Sequence, residues 1–433
     1  MFRRHFLFSV VILAGSIFMT PKLSAQGRET TTPADWSQFR GPGGQGVIQS
    51  SSKLPTEWDA TKNVAWKTAL PGAGASSPIV WKDHIYLTAY TGFFVPNETG
   101  GSQEDLKRHL LCFDRESGKE LWNTAVKAKL PEEERIRDHG FAASTPAADK
   151  DHIYCFFGKS GLVAFDHQGK QKWQADCGSG TNGWGSGSSP VLFEKFVIVN
   201  ASVESESILA FDRMSGKKVW SADGIKEAWN TPVVIQTAEG KPELIVPTHG
   251  AILAFSPETG KQLWSCKTDI TWYMVPSIVA KDGIVYCLGG RSGVASLAVR
   301  SGGRGDVTKT HRLWTSNKGS NVSSPVVHGD KLYWVHDNLG IAYCAELESG
   351  NIVYEQRLNR ADQSYASAVL ANGNLYYLMR DGRTFVVEAR PAFSEVSIND
   401  LRDGGVFNGS IAVDRDRLLI RSDKFLYCIS SAK

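Results

Sequence analysis

The sequence predicts an all-β fold, an eight-bladed β-propeller of four-stranded antiparallel blades, with its ring closed by an N-terminal strand pairing with the last blade. Three observations carry this. A strand–turn–strand phrase recurs: "LLCFDRESGKELW" (110–122), "LVAFDHQGKQKW" (162–173), "ILAFDRMSGKKVW" (208–220), "ILAFSPETGKQLW" (252–264) and, more loosely, "AYCAELESGNIVY" (342–354). Ahead of each hairpin lies another strand pair with a small-residue start, in eight copies: "SSPIV", "STPAA", "SSPVL", "NTPVV", "VPSIV", "SSPVV", "ASAVL" and "GSIAV". Four strands per period of about 40 to 45 residues is the arithmetic of a propeller blade. Finally, the eighth copy carries three strands, and its Trp-bearing fourth strand stands at the other end of the chain, in "NVAWKTALPG" (63–72).

Taken in chain order, Arg3 and Arg4 precede an apolar run from Phe6 to Phe18 and a small-residue end at Ser24 and Ala25. That pattern reads as a signal peptide over residues 1–25, too short for a membrane span. Residues 26–62 form a Gly/Pro-rich lead-in. Within it "GPGGQG" (41–46) fits the spacing of a dinucleotide loop at Gly41, Gly43 and Gly46. No strand precedes it and no helix follows, so it reads as a lead-in pinned to the body by Trp36 and Phe39. The propeller then spans 63–433, with residues 63–70 completing blade 8.

Blade starts are marked by Pro78, Pro146, Pro190, Pro232, Pro276, Pro325, Ala368 and Ile411, with steps of 68, 44, 42, 44, 49, 43 and 43 residues. The long first step implies an insertion at about 92–107. The hairpin turns place glycine at a left-handed position, at Gly118, Gly169, Gly216, Gly260 and Gly350. Trp66, Trp122, Trp173, Trp220, Trp264 and Trp314 share one place on the fourth strand. There each points at the same neighbouring blade, where burying 150–250 Å² of indole is worth about 4–6 kcal/mol as an upper bound.

Seven cysteines are present. Cys155 and Cys287 share a second-strand slot. Cys112, Cys344 and Cys428 share a third-strand slot that is alanine at 164, 210 and 254. Equivalent slots in different blades lie too far apart to bridge, so all seven are expected to be free thiols. None precedes Cys112, which argues against a lipid anchor.

The whole chain carries 48 basic and 45 acidic residues; without Arg3, Arg4 and Lys22 of the leader it balances at 45 and 45. A neutral chain with no basic run excludes nucleic acid and anionic lipid as main partners. There is no nucleophile elbow, no zinc-protease helix motif, no paired CxxC and no P-loop. No catalytic and no metal-ligating residues are assigned. The adjacent His336, Asp337 and Asn338 read as a polar turn.

The "D-x-x-[ST]-G-K-x-x-W" hairpins, the "SSP" starts and the eightfold count resemble the PQQ-binding-like (pyrroloquinoline quinone repeat) β-propeller family over residues 63–430. That family contains quinoprotein alcohol dehydrogenases and the propeller lipoprotein of the outer-membrane assembly machinery. The lead-in "DWSQFRGPGGQGV" looks like the opening of many exported bacterial members. The resemblance implies the fold, and it raises PQQ with calcium as a cofactor. Quinoprotein dehydrogenases in the family hold the quinone between a tryptophan and a disulfide of adjacent cysteines, beside a calcium ion and an aspartate base. This chain has no adjacent cysteines, and neither the calcium ligands nor the base can be assigned on it.

The expected site is therefore one mouth of the propeller. Before the first strands stand Phe141, Trp184, Trp229, Trp272, Tyr273, Tyr365 and Phe407. The second-to-third loops add Lys159, His249, Arg291, His336, Arg380 and Arg421. An aromatic, mildly cationic rim suits a sugar, an aromatic acid or a peptide segment. The functional expectation is a monomeric, exported binding or scaffold protein, periplasmic or extracellular, with a PQQ-dependent quinoprotein oxidoreductase as the alternative.

Overall fold

Eight antiparallel sheets surround one axis in the computed structural model, which describes residues 1–2, 35–49, 53–96 and 98–431. The leader expected at 1–25 lies outside the described residues except for its first two. Blade 1 comprises Ile79–Trp81, His84–Thr91, Lys107–Asp114 and Glu120–Lys127. The pattern repeats up to blade 7, from Val369–Ala371 to Glu395–Asp400. Blade 8 takes Ala412–Asp414, Arg417–Arg421 and Phe425–Ser430 from the end of the chain, and Val64–Ala69 from near its start. The register sets Trp66 opposite Cys428 and Ala69 opposite Phe425, so the ring is closed by the expected strand. Two sheet edges that would otherwise stand open are thereby paired.

The fourth-strand tryptophans do pack on the next blade. A Cβ built at Gly118 would stand 2.4 Å from the Trp66 ring, and at Gly216 2.6 Å from the Trp173 ring. Trp122 meets Gly169, Trp220 meets Gly260 and Trp314 meets Gly350 in the same way. Several indoles also donate to a carbonyl of that turn, as Trp314 Nε1 does to Leu347 O at 2.8 Å. Trp264 differs: it is fully buried, donates to Glu243 Oε2 at 2.7 Å, and is covered by Gly305–Asp306 in a parallel pairing.

Each of the six fourth-strand tryptophans is preceded by a β-bulge, at Ala65, Leu121, Lys172, Val219, Leu263 and Leu313. Opposite each stands alanine or cysteine, for example Trp122 on Cys112 and Trp173 on Ala164. That confirms the third-strand slot, and all seven cysteines are free and buried.

The small-residue strand starts have a second role. One hydroxyl per blade, at Ser77, Thr145, Ser189, Thr231, Ser277, Ser324, Ser367 and Ser410, accepts the backbone N–H of its counterpart in the preceding blade. The distances run from 2.8 Å for Ser77 N to Thr145 Oγ1 up to 3.4 Å for Ser324 N to Ser367 Oγ. The chain of bonds closes on itself when Ser410 N donates to Ser77 Oγ at 2.9 Å. This ring corrects one blade marker. Ser277 takes the hydroxyl slot, so Ile278, and not Pro276, is the equivalent of Pro78, Pro146, Pro190, Pro232, Pro325, Ala368 and Ile411.

The lead-in lines the inner edges of the first strands. Trp36 O accepts from Val80 N and Ser37 O from Ala148 N, both at 2.8 Å. Gln45 Oε1 accepts from Ala280 N at 2.9 Å, Gly46 O accepts from Leu370 N, and Val47–Ile48 pairs in parallel with blade 7. Innermost strands have no neighbour on the axis side, and the lead-in supplies acceptors to their unpaired N–H groups. Gly41 and Gly46 have positive φ, and a Cβ there would stand 2.5 Å from Trp36 and 2.7 Å from Arg40 Nη2. The glycines let the chain fold tightly over its own Trp36 and Arg40.

Blade 1 departs from the repeat twice. The insertion between Thr91 and Lys107 holds a short 3₁₀ turn at Gln103–Asp105, and the connection at 128–146 into blade 2 is also long.

Candidate functional site

The hydroxyl ring forms the wall of a funnel of about 1000 Å³, open to solvent, whose lining includes Phe39 of the lead-in. Above the ring the aromatic side chains converge. Tyr273 is the hub: its ring centroid lies 5.8 Å from Trp184, 5.6 Å from Trp229 in an edge-on arrangement, and 5.4 Å from Trp272. Interlocked loops hold them, with Trp229 Nε1 donating to Gly185 O at 2.7 Å and Trp229 N to Met274 O at 2.7 Å. Tyr365 also lines the funnel, under Arg380 at 4.3 Å. Arg380 is fixed by Gln363 Oε1 at 2.9 Å, Asn408 Oδ1 at 3.0 Å and Asp138 Oδ1 at 3.3 Å.

The expected site residues divide accordingly. Trp184, Trp229, Tyr273, Arg291 and Tyr365 line the funnel, and Trp272 stands exposed beside it. Phe141 and Phe407 do not reach it: Phe141 is buried against Tyr90 and Phe93, and Phe407 is fully buried against Tyr427. Apolar rings at these strand entries are drawn into the blade packing because it removes them from water more completely than a rim does.

Among the cations, Arg421 is buried in the core, where Nη1 donates to Thr88 O at 2.9 Å and burial lowers its pKa to about 10. Lys159 is buried and donates to Pro131 O at 2.7 Å. His249 pairs with Glu227 at 3.0 Å on an exposed loop. His336 lies away from the funnel lining, its Nδ1 accepting from Asn338 N at 3.2 Å, while the buried Asp337 accepts from Asn321 N at 2.8 Å. That triplet is the polar turn expected of it.

Residues that sequence reasoning missed come largely from the long 128–146 connection, which delivers Asp138 and His139 to the funnel wall. Burial pushes the His139 imidazole below its usual range. Asp138, His139 and Asn408 also line a side groove of about 1130 Å³, together with Tyr90, Phe93 and Phe94. These three residues therefore stand between groove and funnel as a shared wall. The sequence signal for this connection is the long first repeat step, which the sequence alone places at an insertion of about 92–107.

The glycine-rich loop at 178–187 is gripped by Glu204. The Glu204 carbonyl accepts from Ser179 N at 3.0 Å and Gly180 N at 2.9 Å, and its carboxylate accepts from Ser186 Oγ. Burial raises this carboxyl to about 7, the Ser186 bond opposing the shift.

The family model described as outer membrane protein assembly factor BamB, a PQQ-repeat propeller, matches residues 106–356 and 233–406. The chain belongs to this family. Solved structures with the same fold as this BamB-family propeller include BamB from Moraxella catarrhalis, at 14% identity and TM-score 0.60, covering 85% of this chain and 97% of that one. The computationally designed Ika8 protein matches at 10% identity and TM-score 0.59, over 84% of this chain and 98% of its own. The quinohemoprotein alcohol dehydrogenase ADHIIG from Pseudomonas putida HK5 matches at 10% identity and TM-score 0.58, over 93% and 81%. A comparison with curated proteins finds no match.

Among the described residues no three His, Cys, Asp or Glu side chains gather as a metal site would, and no helix is long and apolar enough to cross a membrane.

Proposed function

We propose that this BamB-family propeller is an exported binding platform of the bacterial envelope that takes a protein segment or small ligand at its funnel. The observation that carries this is the cluster of Trp184, Trp229 and Trp272 around Tyr273, above a funnel wall of hydroxyls. Aromatic rings around a concave opening give large contact area at low entropy cost, and hydroxyls supply a few directional contacts. The leader pattern at 1–25 and the family's printed description support an envelope location. A photo-crosslinker replacing the exposed Trp272 should give a discrete adduct in the native envelope, and one at Leu121 on the outer edge should not. Equal labelling from both positions would sink the proposal.

The second reading, a PQQ-dependent oxidoreductase, is favoured by the aromatic funnel alone. The donor set does not fit its calcium: Asp138 is the carboxylate in the funnel lining, and it is spent on Arg380. A hard cation of this kind takes six to eight oxygen ligands. Incubation with PQQ and calcium should therefore give no saturable quinone absorbance and no alcohol-dependent dye reduction.

A further inference from the structure

The two places where blade 1 departs from the repeat come together at the side groove. The insertion supplies Phe93, Phe94 and Glu98, the 128–146 connection supplies Asp138, and loops of blade 8 supply Val406 and Asp423. Tyr90 ties the first two: its hydroxyl donates to Phe94 O at 3.0 Å, and its ring fills the space that a side chain at Gly140 would need. The blade 8 loops are fixed in turn, with Val406 N donating to Asp423 Oδ1 at 2.8 Å and Asp423 N to Val406 O at 3.0 Å. Phe94 is held at φ +52°, a left-handed conformation that is costly for a bulky residue, and yet its side chain stands 43% exposed. Val406 on the same groove is also exposed. Neither blade packing nor ring closure uses this strained, solvent-facing ring.

The charge of the groove has one sign. Glu98, Asp138 and Asp423 line it and no lysine or arginine does, while burial holds His139 below its usual range and so neutral. Asp138 is taken up by Arg380 at 3.3 Å; among the described residues neither Glu98 nor Asp423 joins an ion pair. Arg135 lies 5.6 Å from the Phe94 ring but outside the lining. Burial, and after it the Asp423 carboxylate, push the Tyr90 hydroxyl above its usual range; the buried Arg421 opposes by less than Asp423 contributes, and Glu98 adds to the rise. The field over the groove floor is therefore negative, beside aromatic faces that attract cations. These carboxylates are not gathered as a metal site would gather them, and about 1130 Å³ is more room than one small amine fills. We infer that the groove docks a basic, apolar polypeptide segment, with an arginine or lysine side chain at Glu98 and Asp423 and an apolar neighbour against Phe94 and Val406. This site is separate from the funnel and goes beyond the funnel reading. An acidic segment or a nucleic acid would meet like charge there.

The test uses the full chain, short dye-labelled peptides of alternating Arg-Phe, Ser-Phe or Glu-Phe, and phenethylamine as a small competitor. Anisotropy should show saturable binding of the Arg-Phe peptide that weakens as salt rises. Glu98→Gln combined with Asp423→Asn should weaken it about fivefold or more, with thermal unfolding unchanged. Glu98 is exposed, and Asp423→Asn keeps an acceptor for the Val406 N–H. Equal binding of the three peptides, or no effect of the double substitution, would overturn the inference. Displacement by phenethylamine with an affinity equal to the peptide's own would reveal a small-cation site and overturn the claim of a segment. Tyr273→Ala separates groove from funnel. If it abolishes Arg-Phe binding while the double substitution does nothing, the funnel reading stands and the groove inference falls; weakening by the double substitution alone supports the groove whatever becomes of the funnel.

Discussion

At the hairpin turns, glycine is required twice over. Gly216 has φ +70°, and its missing Cβ leaves room for the Trp173 ring. Gly240 has a similar φ of +73° with nothing within 4 Å. Gly216→Ala should therefore cost about 2–4 kcal/mol in urea unfolding and Gly240→Ala only about 1 kcal/mol, since the latter meets backbone strain alone. Equal losses would mean that the tryptophan contact contributes nothing. Glu204 gives a pH prediction at the same scale. Its folded pKa of about 7 lies above the ordinary carboxyl value of 4.5, so the native state holds the proton more tightly than the unfolded one. The associated stability is present below about pH 4.5 and is lost as pH rises through 7, a change on the order of 3 kcal/mol. Glu204→Gln keeps a hydrogen-bonding group without the charge, and it should flatten this slope in unfolding measured from pH 5 to 8. A retained slope would assign it elsewhere.

Among the elements, the first strands are tied to one another by hydroxyls and the fourth strands by indoles. Removing Ser189 Oγ leaves the buried Thr145 N–H without its acceptor, at a cost of about 1–3 kcal/mol. Ser189→Thr should be nearly neutral, because threonine already fills this slot at Thr145 and Thr231. Calorimetry on the two variants checks this directly. The bulges explain a feature that would otherwise look like an aggregation hazard: Leu121, Val219, Leu313 and Val396 are exposed on outer edges because each is the extra residue of a bulge. The bulge turns the following side chain toward the next blade and breaks the flat edge that another strand would need. The hydroxyl slot was visible in the sequence as "SSP" and "STP", yet only as the start of a strand. Its partner lies roughly one repeat away along the chain, and nothing local announces the bond.

For the whole molecule, Val64–Ala69 closes the ring by pairing with Phe425–Ser430 of the last blade. Deleting residues 26–70 removes that strand, the Trp66–Gly118 contact and the lead-in's acceptors together. The loss should be on the order of 5 kcal/mol or more, read as a lower and broader thermal transition. An unchanged transition would break the closure argument.

The repeat period, the turn glycines, the tryptophan slot, the free cysteines and the closing strand were all determined by the sequence itself. Each is a local pattern copied from blade to blade, so its physical cause can be read within one copy and counted in the others. The tertiary structure alone decided which aromatics face the funnel. Phe141 and Trp184 look alike as rings before a first strand, but one falls into the blade packing while the other joins Tyr273. It also decided that Asp138 and His139 reach the wall shared by groove and funnel, because this depends on irregular connections whose paths no repeat constrains.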